Sequence, residues 1–169
     1  VWSKVDTEEE RYLNFEKWWG GFFKMNREEI HFIVDSLFVG NELEQGRLSL
    51  GDDRQINLKN FKDPIVVFAS AGDNITPPQQ ALNWIYKVYK TVDEIKRNGQ
   101  TIVYILHPKI GHLGIFVGSK VAKKEHSAII GSVDMIEFLS PGLYEMVITD
   151  EGDERQVEFV ERDMEDILM

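Results

Sequence analysis

Pro64-Ile65-Val66-Val67-Phe68-Ala69-Ser70 runs without a charge into the turn Ala71-Gly72-Asp73-Asn74-Ile75-Thr76, and this stretch decides the fold. An unbroken β-branched and aromatic run of this length fits a strand buried on both faces, as in a parallel sheet. Thr76-Pro77-Pro78-Gln79 then reads as a helix start, with Thr76 as cap, Pro77 as first helical residue and Gln79 as capping partner. Ala81, Leu82, Ile85, Val88, Tyr89, Val92 and Ile95 keep helical spacing, and Asn98-Gly99 ends the element. Residues 101–106 form a second buried strand of the same character. Strand, helix and strand with short joints predict a right-handed crossover between two adjacent parallel strands.

Outward from this core, the flanks differ. Tyr12, Phe15, Trp18, Trp19, Phe22 and Phe23 crowd around Gly20-Gly21, too densely for one small helix to bury. They read as a connector packed on another surface, or as part of a cap over an acyl pocket. A helix is expected over 27–39, capped by Asn26 with Glu29 and stopped by Gly40; Ile30, Ile33, Val34, Leu37 and Phe38 form its apolar stripe. Residues 41–63 are polar and turn-rich. Helices are expected over 113–124 and 127–138, before Pro141-Gly142. Residues 145–149 and 156–161 alternate around Glu151-Gly152-Asp153 as an antiparallel hairpin. The expected division is 1–60, an aromatic-rich connector and cap-like helical segment; 61–140, the βαβ core; and 141–169, an acidic hairpin extension.

Composition bounds the function. The 169 residues, 43% hydrophobic and 28% charged, suit one globular domain. The net charge of −10 is concentrated from Glu145 onward, where ten acids face Arg155 and Arg162. A surface of that sign repels phosphates, so a nucleic-acid partner is not expected. No apolar run reaches membrane-spanning length, no signal peptide is read at the start, and no cysteine is available for disulfides, thiolate metal sites or nucleophilic attack. A cytoplasmic location is the mild preference. The chain opens on Val1, and the expectation is a piece of a longer protein.

The chemistry is expected where the two parallel strands end, because open α/β sheets bind ligands outside the strands' carboxyl ends. The first strand delivers Asp73 there; the second delivers His107-Pro108-Lys109-Ile110-Gly111-His112. A carboxylate can fix an imidazole's tautomer and stabilise its protonated form while the second ring nitrogen serves a nucleophile. Asp73 read alone is a turn residue before a helix, and His112 alone a helix-start residue. Their conjunction makes them the candidate catalytic pair, with Gly111 expected to allow close backbone packing and His107 to stabilise its loop. No G-x-S-x-G occurs. Ser3, Ser36 and Ser49 lack the strand-to-helix context, and Ser70 has Phe68 where the first glycine of that motif belongs. The fold class expected is therefore α/β, the C-terminal part of an α/β-hydrolase-like sheet with flanking helices and an extra hairpin. Its nucleophile is expected upstream of Val1.

Residues 37–46, Leu37-Phe38-Val39-Gly40-Asn41-Glu42-Leu43-Glu44-Gln45-Gly46, resemble the leucine, aromatic, asparagine, leucine, glycine pattern of polyhydroxyalkanoate synthases. Gly51, Ile56-Asn57-Leu58 and Asp63-Pro64-Ile65 resemble the segment leading into their late core strand. Gly72-Asp73-Asn74-Ile75-Thr76-Pro77 is similar to their acid-bearing turn, and Gly111-His112 to their histidine. Asn57 stands where that family has aspartate, the helix between acid and histidine is longer, and the hairpin has no counterpart. The likeness is to a divergent synthase-related group. It implies that Asp73 orients His112, and that His112 activates an absent serine or cysteine for acyl transfer or ester hydrolysis. The implied partners are the missing N-terminal half of the domain and an acyl ester or thioester substrate, with no cofactor and no metal. The alternative is a non-catalytic scaffold binding a hydrophobic or acyl-bearing partner. A half-sheet with one bare edge is also expected to self-associate.

Overall fold

The computed structural model describes residues 7–51, 54–112, 114, 121–151 and 154–168. The chain divides between Gly40 and Asn41 into two compact units.

In the first unit, α1 (Glu9–Trp19) buries none of its residues; Phe15 stacks on Trp19 with ring centroids 5.9 Å apart. α2 (Arg27–Phe32) opens on the expected capping box: Asn26 accepts from the Glu29 amide, and Glu29 accepts from the Asn26 amide, each at 2.8 Å. The single helix expected to Val39 does not persist. Ile33–Val39 widens into a π-helix that ends where the Gly40 N–H donates to the Asp35 carbonyl. A π turn holds more residues than an α turn, so positions spaced for 3.6 residues drift off one face. Ile30, Val34 and Phe38 of the expected stripe are exposed.

The second unit is built on a four-stranded sheet: β1 (Ile65–Ser70), β2 (Thr101–His107), β3 (Gly142–Glu151) and β4 (Glu154–Glu161), adjacent in that order. β1 and β2 are parallel neighbours, as the sequence predicts, and the register sets Ser70 opposite His107. β3 pairs parallel with β2, and β4 closes the hairpin antiparallel to β3. The hairpin is thus continuous with the sheet, and residues 41–60 also group with it. Among the described residues, β1 has a strand neighbour on one side only.

The uncharged run of β2 is explained by burial on both faces, whereas β1 is covered less fully than its sequence suggests: Ala69 and Ser70 are buried, Ile65, Val67 and Phe68 half-buried and Val66 exposed. On β2, Ile102 and Tyr104 face a core with Leu82, Ile85, Tyr89, Ile95, Leu143 and Met164. Val103 and Ile105 face the opposite core with Ala128, Ile136 and Met146. Each such side chain contributes roughly 1.5–3 kcal/mol through burial. The first core is covered by α3 (Pro78–Tyr89), α4 (Val92–Asn98) and α7 (Met164–Ile167), the second by α5 (Val121–Gly131) and α6 (Val133–Glu137).

Several boundaries differ from the sequence expectation. Helix α3 begins one residue later than expected: Pro77 is the cap, Pro78 the first helical residue, and no side chain caps the start. Pro78 disfavours helical backbone at the residue before it, which leaves Pro77 extended. The long helix expected to Asn98 breaks at Lys90, whose φ is +59°, and restarts behind Thr91, whose hydroxyl accepts from the Glu94 amide. Gly99, at φ +69°, supplies the expected stop. The helix expected over 113–124 falls mostly outside the described residues. In place of one helix over 127–138, α5 and α6 meet at Gly131-Ser132. Among the described residues no helix is long and apolar enough to cross a membrane.

Candidate active site

Asp73 and His112 come together at the carboxyl ends of β1 and β2. The His112 Nδ1 lies 3.0 Å from Asp73 Oδ2 and 3.2 Å from Oδ1. The Asp73 side chain is 14% exposed and that of His112 is 37% exposed, so the pair sits at a surface water can reach.

The acid turn explains why Asp73 faces this way. Its Oδ1 accepts from the Ile75 and Thr76 amides, each at 2.9 Å, which fixes the carboxylate against its own backbone. Oδ2 is then left directed at the imidazole. The sequence poses turn residue and histidine partner as alternatives; the carboxylate bonds the turn amides through Oδ1 and also faces the His112 ring, with Oδ2 the nearer oxygen.

His107 turns its Nδ1 onto its own loop, accepting from the Lys109 and Ile110 amides at 3.0 Å each. This is the loop-stabilising role expected of it. The histidine turn is closed by the Gly114 N–H donating to the Gly111 carbonyl at 2.8 Å.

The close backbone packing expected at Gly111 lies at Gly72 instead. A Cβ on Gly111 meets nothing within 4 Å among the described residues. A Cβ on Gly72 falls 2.6 Å from the carbonyl carbon and oxygen of Lys109 and 2.9 Å from the Ile110 carbonyl oxygen. The two loops therefore pack backbone to backbone at Gly72, where only glycine leaves room. Gly72 is the residue the sequence reading missed; its place directly before the acid is the available signal.

Ser70 is 4% exposed. Its Oγ lies 2.5 Å from the Ile110 carbonyl oxygen and accepts from the Gly72 amide at 3.2 Å. A hydroxyl enclosed between backbone groups has no approach for a substrate carbonyl, which agrees with setting Ser70 aside as nucleophile. Ser36 lies in the π-helical stretch and Ser49 at an isolated antiparallel bridge, neither at a strand-to-helix turn; Ser3 lies outside the described residues. Among the described residues, no three His, Asp or Glu side chains are grouped to hold a metal ion.

The Asp73 carboxyl is held below the usual carboxylate value, first by the Thr76 amide, then by the Ile75 amide and His112, with partial burial opposing them. A carboxyl whose folded value is depressed contributes stability that is fully present above its unfolded value, 3.8 here, and is lost as pH falls through the lower folded value. Acid unfolding followed by circular dichroism should therefore show Asp73→Asn removing part of the pH dependence below about 4. Identical acid limbs in the two proteins would show the carboxylate unheld.

With its Nδ1 proton donated to Asp73, a neutral His112 presents the lone pair of Nε2. Such a pair can take a proton from a hydroxyl or thiol and stabilise the imidazolium that results.

A family model described as "Protein of unknown function (DUF3141)" matches residues 1–167. Over 152 residues the chain is 56% identical to a Rhizobium meliloti protein described as "Uncharacterized protein in ackA 5'region"; the match covers 90% of this chain and 21% of that protein. The chain therefore spans about a fifth of the length of the curated relative it matches. No solved structure matches it.

Proposed function

The chain belongs to the DUF3141 family, and for this member we propose the role of acid-and-histidine half of an acyl-transfer or ester-hydrolysing site on an α/β-hydrolase-like sheet. The observation that carries this reading is the Asp73–His112 pair, delivered by the loops of two adjacent parallel strands to one edge of the sheet. The resemblance of Gly72-Asp73-Asn74-Ile75-Thr76-Pro77 and Gly111-His112 to polyhydroxyalkanoate synthases supports it.

In the proposed reaction, His112 Nε2 takes the proton from a serine hydroxyl or cysteine thiol supplied by a segment outside these 169 residues. The freed oxygen or sulfur attacks the carbonyl carbon of an ester or thioester, and the tetrahedral intermediate expels the alcohol or thiol, which takes the proton back from His112. An acyl-enzyme remains. Water or a second hydroxyl, deprotonated by the same Nε2, then attacks the acyl carbon, and the serine or cysteine leaves and takes the proton back from His112. Asp73 keeps the Nδ1 proton in place throughout and stabilises the imidazolium.

The test uses the full-length protein, with a fluorophosphonate probe for serine and a chloromethyl ketone for cysteine. One probe should label a single residue outside the present chain, and His112→Ala should lower the labelling rate by about 10²–10⁴-fold. No labelling by either probe, with the fold intact, would overturn the enzymatic reading. That outcome would favour the second reading, a non-catalytic scaffold for a hydrophobic or acyl-bearing partner. The exposed Trp18, Trp19, Phe22 and Phe23 favour this second reading.

A further inference from the structure

We propose that Ser70 is a positioning residue for the Asp73–His112 pair, its buried hydroxyl tying the histidine loop to the acid loop and so setting the direction of the His112 ring. The proposal rests on the reading of that pair as an acid–histidine couple.

The two loops start from paired positions. Ser70 ends β1 opposite His107, which ends β2, and the ladder extends one step further as the Ala71 amide donates to the His107 carbonyl at 2.9 Å. Beyond that point no strand pairing holds the loops in register. The Ser70 hydroxyl continues the connection. It has one proton and two carbonyl neighbours, Ile110 at 2.5 Å and His107 at 3.1 Å, and the shorter contact marks Ile110 as acceptor. As an acceptor it takes the Gly72 amide. One side chain thus holds backbone from both loops, two residues before His112 on one side and one before Asp73 on the other.

Two further features make this bond directional. Ile110 is 6% exposed, and its amide is held by His107 Nδ1 while its carbonyl takes the Ser70 hydroxyl, so the residue is held through both of its backbone groups. The close approach of Gly72 to Lys109 leaves the loops no slack to slide. Removing the hydroxyl strands a buried carbonyl, which regains a partner only by moving toward water. That movement carries His112 with it.

The experiment reads the imidazole directly, by ¹⁵N resonance of His112 in the chain at a pH where the ring is neutral. Wild type should show the Nδ1–H tautomer, and Asp73→Asn should shift it to Nε2–H. Ser70→Ala should lower the Nδ1–H fraction at least two-fold while circular dichroism stays unchanged, and Ser70→Thr, which keeps the hydroxyl, should restore it. If Ser70→Ala does not fold, Ser70→Cys, with a weakly donating thiol of similar size, is read by the same criterion. A wild-type tautomer in a folded Ser70→Ala or Ser70→Cys overturns the role of Ser70 and leaves the pair standing. An Nε2–H tautomer in wild type removes the pair itself, and the role of Ser70 with it.

Discussion

Asp73→Asn in the full-length protein is expected to lower acyl turnover by about 10⁴-fold without unfolding it, and the geometry says why so small a change acts so strongly. Oδ1 is held by the Ile75 and Thr76 amides, which donate and therefore require an oxygen. An asparagine keeps those bonds by placing its own Oδ1 there. Its NH2 group then replaces Oδ2 and points at His112 Nδ1. A donor facing Nδ1 forces the ring proton onto Nε2, the nitrogen that must accept from the nucleophile. The turn survives and the base is lost. His112→Ala removes the base outright and should cost about as much. Asp73→Ala should add a loss of stability, because the turn loses its acceptor as well. Single-turnover rates of the three proteins, with urea unfolding alongside, check this. Full activity in Asp73→Asn or His112→Ala would remove that residue from the mechanism.

Gly72→Ala carries the second large effect, and here stability and geometry fail together. The added methyl would lie 2.6 Å from the Lys109 carbonyl, and the atoms it meets are backbone, not the movable end of a side chain. The loops must separate. The strain is expected to destabilise the fold by about 1–3 kcal/mol. The displaced histidine loop should also lower turnover by about 10²-fold, since misplacement of a catalytic group by an ångström is that costly. Urea titration gives the first number and the rate per folded molecule gives the second. A stable, fully active Gly72→Ala protein would mean that the loops do not approach as described.

The parts of the fold written in local composition were legible. The uncharged run to Ser70 and the matching run from Thr101 announce parallel strands, the second of them covered on both faces, and Asn26 with Glu29 announces a helix start. What remained hidden depends on partners distant in sequence or on unusual backbone. The alternation in β3 and β4 reveals a hairpin but not that β3 lies beside β2, because the pairing joins Thr101 to Gly142 across an intervening helical region. The break at Lys90 requires a left-handed residue that is neither glycine nor asparagine, so nothing in its identity marks it. At the site, Asp73 and His112 could be found because their residue types name their chemistry. Ser70 and Gly72 could not be assigned from the sequence, since their importance lies in what the neighbouring loop brings against them.

The sheet's two borders are unlike each other, and this gives the molecule a direction of growth. At one border β4 is paired, among the described residues, to β3 alone and carries Glu158 and Glu161, whose charge discourages another strand from docking there. At the other, β1 offers an uncharged run from Ile65 to Ser70, paired among the described residues on one side. Any strand that extends the sheet is therefore steered to the β1 border. Its carboxyl end, if it runs parallel, would arrive next to Asp73. A parallel strand added there would extend the sheet and bring a new side chain up to the Asp73–His112 pair in one event.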